Sequence, residues 1–538
     1  MIGSALRSPR WLALAPLAFL LAALVAPVLR LMFEAGSGGG GLAAVQASGE
    51  PGAIGWLQPW VDPYLRWRLL WSALQAALTC ALVLVLGVPV AWVLARYEFV
   101  GRRWVLRALM LPFVVPTLVA AMGVLALWGP QGLWVQAGGR SLQDTPFLLL
   151  YGNVFFNLCV LVRSATDALE QVSASRVAAA RTLGATPWRA FWRIEWPAIL
   201  PWLMSALCLV FLYCFAGFGL ALVLGGQAYA TVEVEIYTLV AYELQLGAAG
   251  VLALWTLGIT GLFALLYAVL ERRLATPLRA DRIARRAPQT AGQWLAVAGA
   301  LAVLALFCLA PIGAIVLRAA QAGGQAWAVL WEPDTVLALG NTLRFSGAAL
   351  VLATLLGWAH ALAARHSASL RALAFLPLVV SPVLVAFGLL LLYPAWTASV
   401  PLLIAAYALL AYPFVAKSVA SGLDGLPANL HAAARSLGAS PWRAFWRVTW
   451  PLLFPALRRG MAFAAATAVG EFAVTLFLSR PEWATLSTLI YQHLGRPGAA
   501  HLDAALVLAC ALMALALAVF LLIEWPTTDR PHLQESHA

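Results

Sequence analysis

Val177 to Pro197 reads VAAARTLGATPWRAFWRIEWP, and His431 to Pro451 reads HAAARSLGASPWRAFWRVTWP, with 16 of 21 positions identical at an offset of 254 residues. The same offset carries Thr231 onto Thr485 and Ile236-Tyr237 onto Ile490-Tyr491, so the register holds without net gap from Val177 to Tyr237. Chance does not keep register over that distance, and the chain is a tandem duplication of one unit. Inside each copy the sequence spells two short helices meeting at an angle. Ala178 to Leu183 is rich in good helix formers. Gly184 suits the left-handed residue that ends a helix, Thr186 offers an N-cap, and Pro187 takes the favoured first helical position. Ser440 and Pro441 repeat the design. The second helix carries Trp188, Phe191 and Trp192 beside Arg189 and Arg193, matched by Trp442, Phe445, Trp446, Arg443 and Arg447, and Pro197 and Pro451 are expected to end it.

The chain around these copies is apolar. Of its 538 residues 63% are hydrophobic and 10% charged, at a mean hydropathy of +0.87, whereas soluble domains carry roughly 25% charged residues. With about 20 apolar residues per membrane-spanning helix, the runs near 11–33, 69–95, 105–128, 146–163, 199–225 and 248–270 are spans. So are those near 293–317, 343–364, 370–393, 398–420, 460–478 and 503–524. The expected fold is an all-α integral membrane protein of twelve helices in two homologous six-helix halves. An even number of spans per half gives parallel repeats related by an axis along the membrane normal. The first run follows Arg7 and Arg10 and precedes Ala44-Val45-Gln46-Ala47, as in a cleaved leader. It is longer than the usual leader core of about 7–15 residues, and we read it as a span.

Charge sets the topology. Lys417 is the only lysine among 34 basic residues, and it stands in the apolar run YPFVAKSVA, so the chain has no Gly-Lys-Ser/Thr phosphate loop. The arginines are scattered between apolar runs, which argues against nucleic-acid binding and for topology determination. Arg96, Arg102, Arg103 and Arg107, then Arg163, Arg176, Arg181, Arg189 and Arg193, mark the cytoplasmic connections of the first half. Both termini then lie in the cytoplasm. Residues 272–292, with Arg272, Arg273, Arg279, Arg282, Arg285 and Arg286, form a cytoplasmic linker between a first half at 1–271 and a second at 293–538. The six cysteines lie in apolar runs without C-x-x-C spacing, which argues against a disulfide framework or zinc site. No span carries clustered His, Asp or Glu, so neither a resident metal, a cofactor nor covalent catalysis is expected.

Two readings fit the repeated segment: an interfacial helix floating its aromatics at the headgroup level, or a docking surface for a cytoplasmic partner. Near-identity between copies favours docking, since anchoring needs amphipathic character and no fixed string. Two copies imply a twofold partner.

The pattern Ala-Ala-x-x-x-Gly, nine residues, Ile/Val-x-Trp-Pro (Ala179, Ala180, Gly184, Ile194, Trp196, Pro197; Ala433, Ala434, Gly438, Val448, Trp450, Pro451) resembles the EAA loop of binding-protein-dependent ABC importer permeases. The resemblance implies a type I importer fold in the bacterial inner membrane and no enzymatic activity of its own. It further implies a separate ATPase dimer seated on both loops, through Ala179, Ala180, Gly184 and Arg189 and through Ala433, Ala434, Gly438 and Arg443, and an extracytoplasmic substrate-binding protein. Ala178 and Ala432 stand where the family often has Glu, so coupling would rest on helix shape, the glycines and the arginines.

Fused halves are similar to the thiamine and iron(III) permease group, and VFFNL from Val154, IEWP from Ile194, TVEVEIY from Thr231 and IYQHLG from Ile490 lean toward thiamine. Iron(III) is the alternative. An ion-coupled secondary transporter is a second one, disfavoured by the paired loops and by the scarcity of ionisable groups in the spans. Glu471 lies in the eleventh span, where an ionisable group is a functional candidate; it could attract a cation or be paired structurally. Asn153 and Asn157 of the fourth span are weaker pathway candidates, since amides also serve as interhelical glue. The segment around Glu233, Glu235 and Glu243 is expected to face outward, toward the binding protein.

Overall fold

The computed structural model describes residues 10–37, 55–274, 283–397, 399–426 and 428–524. Arg7, Ala44 to Ala47, Arg279 and Arg282, invoked above for the leader and the linker, lie outside them. Among the described residues eleven helices are long and apolar enough to cross a membrane: α1 Trp11–Ala35, α2 Pro63–Arg96, α3 Thr117–Gln136, α4 Pro146–Glu170, α5 Pro187–Phe215, α6 Leu246–Glu271, α7 Ala291–Gln321, α8 Pro333–Ala363, α10 Val400–Asp424, α11 Trp442–Val469 and α12 Ala499–Glu524. The twelfth, α9, is a pair, Ala368–Val379 and Pro382–Leu392, bent by 92°. The all-α, twelve-span, two-half fold expected from the sequence is the fold found.

Local chemistry places the ends. The Asp62 carboxylate accepts from the Tyr64 amide at 2.8 Å and Pro63 opens α2; Thr290 and Gln293 form a capping box at α7; Ser399 caps α10. The break in α9 has the same logic. Pro382 cannot continue the preceding helix, and the Ser381 hydroxyl accepts from the Leu384 amide at 3.1 Å, satisfying one of the donors exposed where the second piece starts.

The halves are interleaved. α1 packs against α8, α9 and α10 of the second half, and α7 packs against α2, α3 and α4 of the first, each while touching the last span of its own half. Two matched contacts hold the exchange: a Cβ on Gly123 of α3 would fall 2.7 Å from the Pro311 carbonyl oxygen of α7, and one on Gly388 of α9 would fall 2.9 Å from Pro27 Cβ of α1. Close approach through glycine is how membrane helices pack tightly without a hydrophobic drive between them. Gly123→Val therefore forces backbone apart and is expected to cost ~1–3 kcal/mol, read as a lower midpoint in thermal unfolding of the solubilised chain; an unchanged midpoint would show that the contact carries no strain.

One reading of the sequence needs correction here. Pro197 and Pro451 do not end a helix: α5 and α11 run straight through them. A π-helical turn, Phe191–Glu195 and Phe445–Thr449, precedes each, and the wider turn absorbs the bond that the proline cannot donate. Elsewhere, Arg285 and Arg286 bind the first half. Arg285 pairs with Glu98 and Glu170, each at 2.9 Å, and the Arg286 backbone donates to the Arg96 carbonyl at 3.1 Å while accepting from the Glu98 amide at 3.0 Å.

Candidate functional site

A cavity of about 350 Å³ lies between the halves, lined from α4 and α5 of one and α9, α10 and α11 of the other. Glu471, Asn153 and Asn157 all line it; the fold brings together three residues far apart in sequence. Asn153 donates to Gln75 Oε1 of α2 at 2.7 Å, and Asn157 donates to the Asn153 carbonyl of its own helix at 2.9 Å and to Cys214 Sγ of α5 at 3.3 Å, so both amides also tie helices together. Asn157 Oδ1 is buried without a hydrogen-bond partner. Glu471 sits between α11 and the short helix Ala473–Leu478, where its Oε1 accepts from the Val474 amide at 2.9 Å. That bond holds the carboxylate at a helix N-terminus, which favours negative charge.

Sequence reasoning missed an aromatic pair in the cavity lining. The rings of Phe218 and Phe472 stack with centroids 6.0 Å apart and planes at 25°. They occupy equivalent positions, 218 and 472, at the duplication offset of 254. Tyr237 packs against Phe218 at 5.5 Å and its copy Tyr491 against Phe472 at 5.4 Å. The offset was the available signal: an aromatic that recurs at a span break in both halves falls near the pseudo-twofold axis. The breaks are fixed by close packing, since a Cβ on Gly470 would lie 2.9 Å from Pro116 Cβ.

Behind this stack, a helix expected to face outward is packed in. Val232–Ala241 buries Glu233 and Glu235, at 0% and 3% exposure, so neither carboxylate can form an outward docking surface; only Glu243 of the three is exposed. The reason is local pairing. Ser381, a cavity residue of the second half, donates to Glu233 Oε2 at 2.8 Å, and burial pushes the Glu233 carboxyl up to about 8 while the Ser381 hydroxyl opposes the shift. Glu235 accepts from Arg68 Nε at 3.2 Å and from the Tyr64 hydroxyl at 2.9 Å. Arg68 further donates to the Tyr64 hydroxyl at 2.7 Å and to the Gln227 carbonyl at 2.9 Å. Arg68 and Glu235 are buried and paired with each other, which is the condition for burying charge, whereas Glu233 Oε1 is buried without a hydrogen-bond partner.

At the other end the repeated loops are near-copies in space. Gly184 and Gly438 have φ of +83° and +84°. The hydroxyls of Thr186 and Ser440 each accept from the amide three residues on, Arg189 and Arg443, at 3.3 Å. Ala180 and Ala434 accept from the amides just past each glycine, Ala185 at 3.0 Å and Ala439 at 3.1 Å, and Ala179 and Ala433 accept from Leu183 and Leu437. Leu183 and Leu437 are each 88% exposed, and Trp188 and Trp442 each 69%. The Arg189 and Arg443 side chains are exposed beside them. The loops differ at the base: Glu195 makes a buried 2.8 Å pair with Arg96 of α2, where the second half has Thr449.

The model of the binding-protein-dependent transport system inner membrane component matches this chain twice, at residues 87–276 and 353–525. The thiamine transport system permease protein of Escherichia coli (strain K12) is 29% identical over 437 residues, 76% of this chain and 79% of that one. The protein of the same name from Haemophilus influenzae is 27% identical over 459 residues, 80% and 84% of the two chains. A probable sulfate transport system permease protein of Nephroselmis olivacea is 31% identical over 146 residues, 27% of this chain and 51% of its own. With twelve spans, two matched halves and relatives covering most of its length, the chain belongs to the inner-membrane permeases of binding-protein-dependent ABC importers.

Proposed function

We propose that this permease imports thiamine. The observation that carries the reading is the chemistry of the central cavity, an aromatic chamber with one carboxylate, Glu471, and one unpartnered acceptor, Asn157 Oδ1. Thiamine presents a permanent thiazolium charge and an amine on its pyrimidine. The rings of Phe218, Phe472 and Tyr213 offer faces to the cation, Glu471 supplies opposite charge, and Asn157 Oδ1 can accept from the amine. The volume suits a small organic ligand, for which pockets run from roughly 300 Å³ upward. One carboxylate and two amides suit a bare trivalent metal ion less well, since hard cations take several oxygen ligands. The thiamine permease relatives support the same choice.

Energy comes from outside the chain. The repeated loops, with Gly184, Arg189, Gly438 and Arg443 at their turns, are the docking elements for an ATPase dimer on the cytoplasmic face. Arginine bias supports the same face for the termini. A substrate-binding protein delivers to the opposite end, where Tyr242, Glu243 and Leu244 are exposed. ATPase closure draws the loops together and exchanges one rigid arrangement of the halves for the other.

The test is ATP-driven uptake of labelled thiamine by the permease reconstituted with its ATPase and binding protein. Thiamine accumulates and ferric ion does not compete; uptake of iron without thiamine sinks the reading. Glu471→Gln keeps the cap on Val474 but removes the charge, and is expected to lower thiamine uptake about ten-fold, the scale of one charge-assisted contact. Unchanged uptake would remove Glu471 from the pathway.

A further inference from the structure

A second cavity, of about 390 Å³, lies between α4, α5 and α6 of the first half. Its lining includes Val160, Ser164, Trp202, Ser205, Tyr267 and Glu271. Val160 borders both cavities. On α4, Asn153, Asn157, Val160 and Ser164 recur every three to four residues and so form one helical face. On α5 the sequence Tyr213, Leu209, Ser205, Trp202 does the same. Two stripes therefore lead from the central cavity toward the repeated loops.

At the mouth of this second cavity Glu271 accepts from the Tyr267 hydroxyl at 3.2 Å and faces Lys417 Nζ, on α10 of the other half, at 4.0 Å. Lys417 is the only lysine of the chain, and its ammonium lies 5.1 Å from the centroid of the Phe375 ring. The ion pair is long and its side chains are 52% and 48% exposed, which makes it weak and readily exchanged. The second half closes the corresponding space. Ser418, at the Ser164 position, donates to the carbonyl of Ala456, at the Trp202 position. A Cβ on Gly460, the counterpart of Ala206, would fall 2.9 Å from Ser418 Cβ.

We infer that the first-half cavity is an exit subsite for an organic monocation, in which the cation rests against Glu271, Tyr267 and Trp202 and leaves when Lys417 retakes the carboxylate. Lys417 competes with the cation for one anionic partner, and the two halves come into ionic contact only when the subsite is empty. The inference rests on the thiamine reading for its substrate but not for its chemistry, so two probes separate them.

The purified full chain in nanodiscs is titrated with labelled thiamine and, separately, tetraethylammonium, with thermal unfolding as a folding check. Lys417→Gln removes the competitor and is expected to tighten cation binding roughly five-fold, whereas Glu271→Gln weakens it by a similar factor. Neither residue lines the central cavity, but charge changes act at a distance, so the uncharged lining residue Trp202 decides the place: Trp202→Ala is expected to weaken cation binding about five-fold, and an unchanged affinity would move the cation out of this subsite. Shifts in the same direction, or no binding of either cation by the unsubstituted chain, overturn the subsite. Opposite signs with tetraethylammonium and no thiamine binding keep the subsite and sink thiamine; thiamine binding that both substitutions change alike does the reverse.

Discussion

With Gly184 and Gly438 both replaced by valine, ATP-driven uptake is expected to fall to background and the ATPase to stop co-purifying with the permease. Nothing lies within 4 Å of a Cβ at either position, so the penalty is not a clash. It is the backbone: φ near +83° costs an L-residue roughly 1–2 kcal/mol, and a β-branched one tolerates that region worst. The left-handed residue ends Ala174–Thr182 and Ala428–Ser436 and directs the chain into Pro187 and Pro441. Relaxing it swings Leu183 and Trp188, or Leu437 and Trp442, away from their common arrangement. A twofold partner held at two sites loses far more than the sum when both deform, because the second contact is intramolecular only while the first holds. Asparagine, which enters the left-handed region more readily, should restore part of the uptake. Pull-down and uptake assays decide the matter, and full uptake by the double valine chain would refute the docking role.

The second large effect is on stability. Arg68→Ala strands the Glu235 carboxylate with only the Tyr64 hydroxyl beside it and frees the Gln227 carbonyl. Removing one partner of a buried pair costs ~3–5 kcal/mol, enough to prevent recovery of the folded chain from detergent. Adding Glu235→Gln removes the uncompensated charge and should return part of the loss. A double substitution no better than the single one would mean that the arginine acts through packing alone.

Glu235 also marks how far the sequence could be read. Twelve spans and two halves were legible because hydrophobic length and exact repetition survive without knowledge of packing. The loops were legible for the same reason: Gly184 and Gly438, with a hydroxyl and a proline behind them, specify a turn by local chemistry. Glu233 and Glu235 were misread as facing outward because a carboxylate's environment depends on Ser381 and Arg68, which no local pattern connects to them. Pro197 and Pro451 were misread because a wider helical turn can accommodate a proline that a regular one would not. Asn153, Asn157 and Glu471 could be named as polar groups at membrane depth, but that they face one chamber required the interleaving of the halves.

That interleaving reaches back to synthesis. α1 is made first, yet α8, α9 and α10, on which it packs, are not made until more than half of the chain has followed. Until then its outer surface faces lipid alone, and Pro27 has no glycine to meet. The first six spans cannot reach their final arrangement alone, because α7 must pack on α2, α3 and α4 while α1 packs on α8, α9 and α10. Duplication followed by fusion thus yields a protein whose earliest segment is among the last to settle, and whose two halves mature together even though either could have begun as a separate chain.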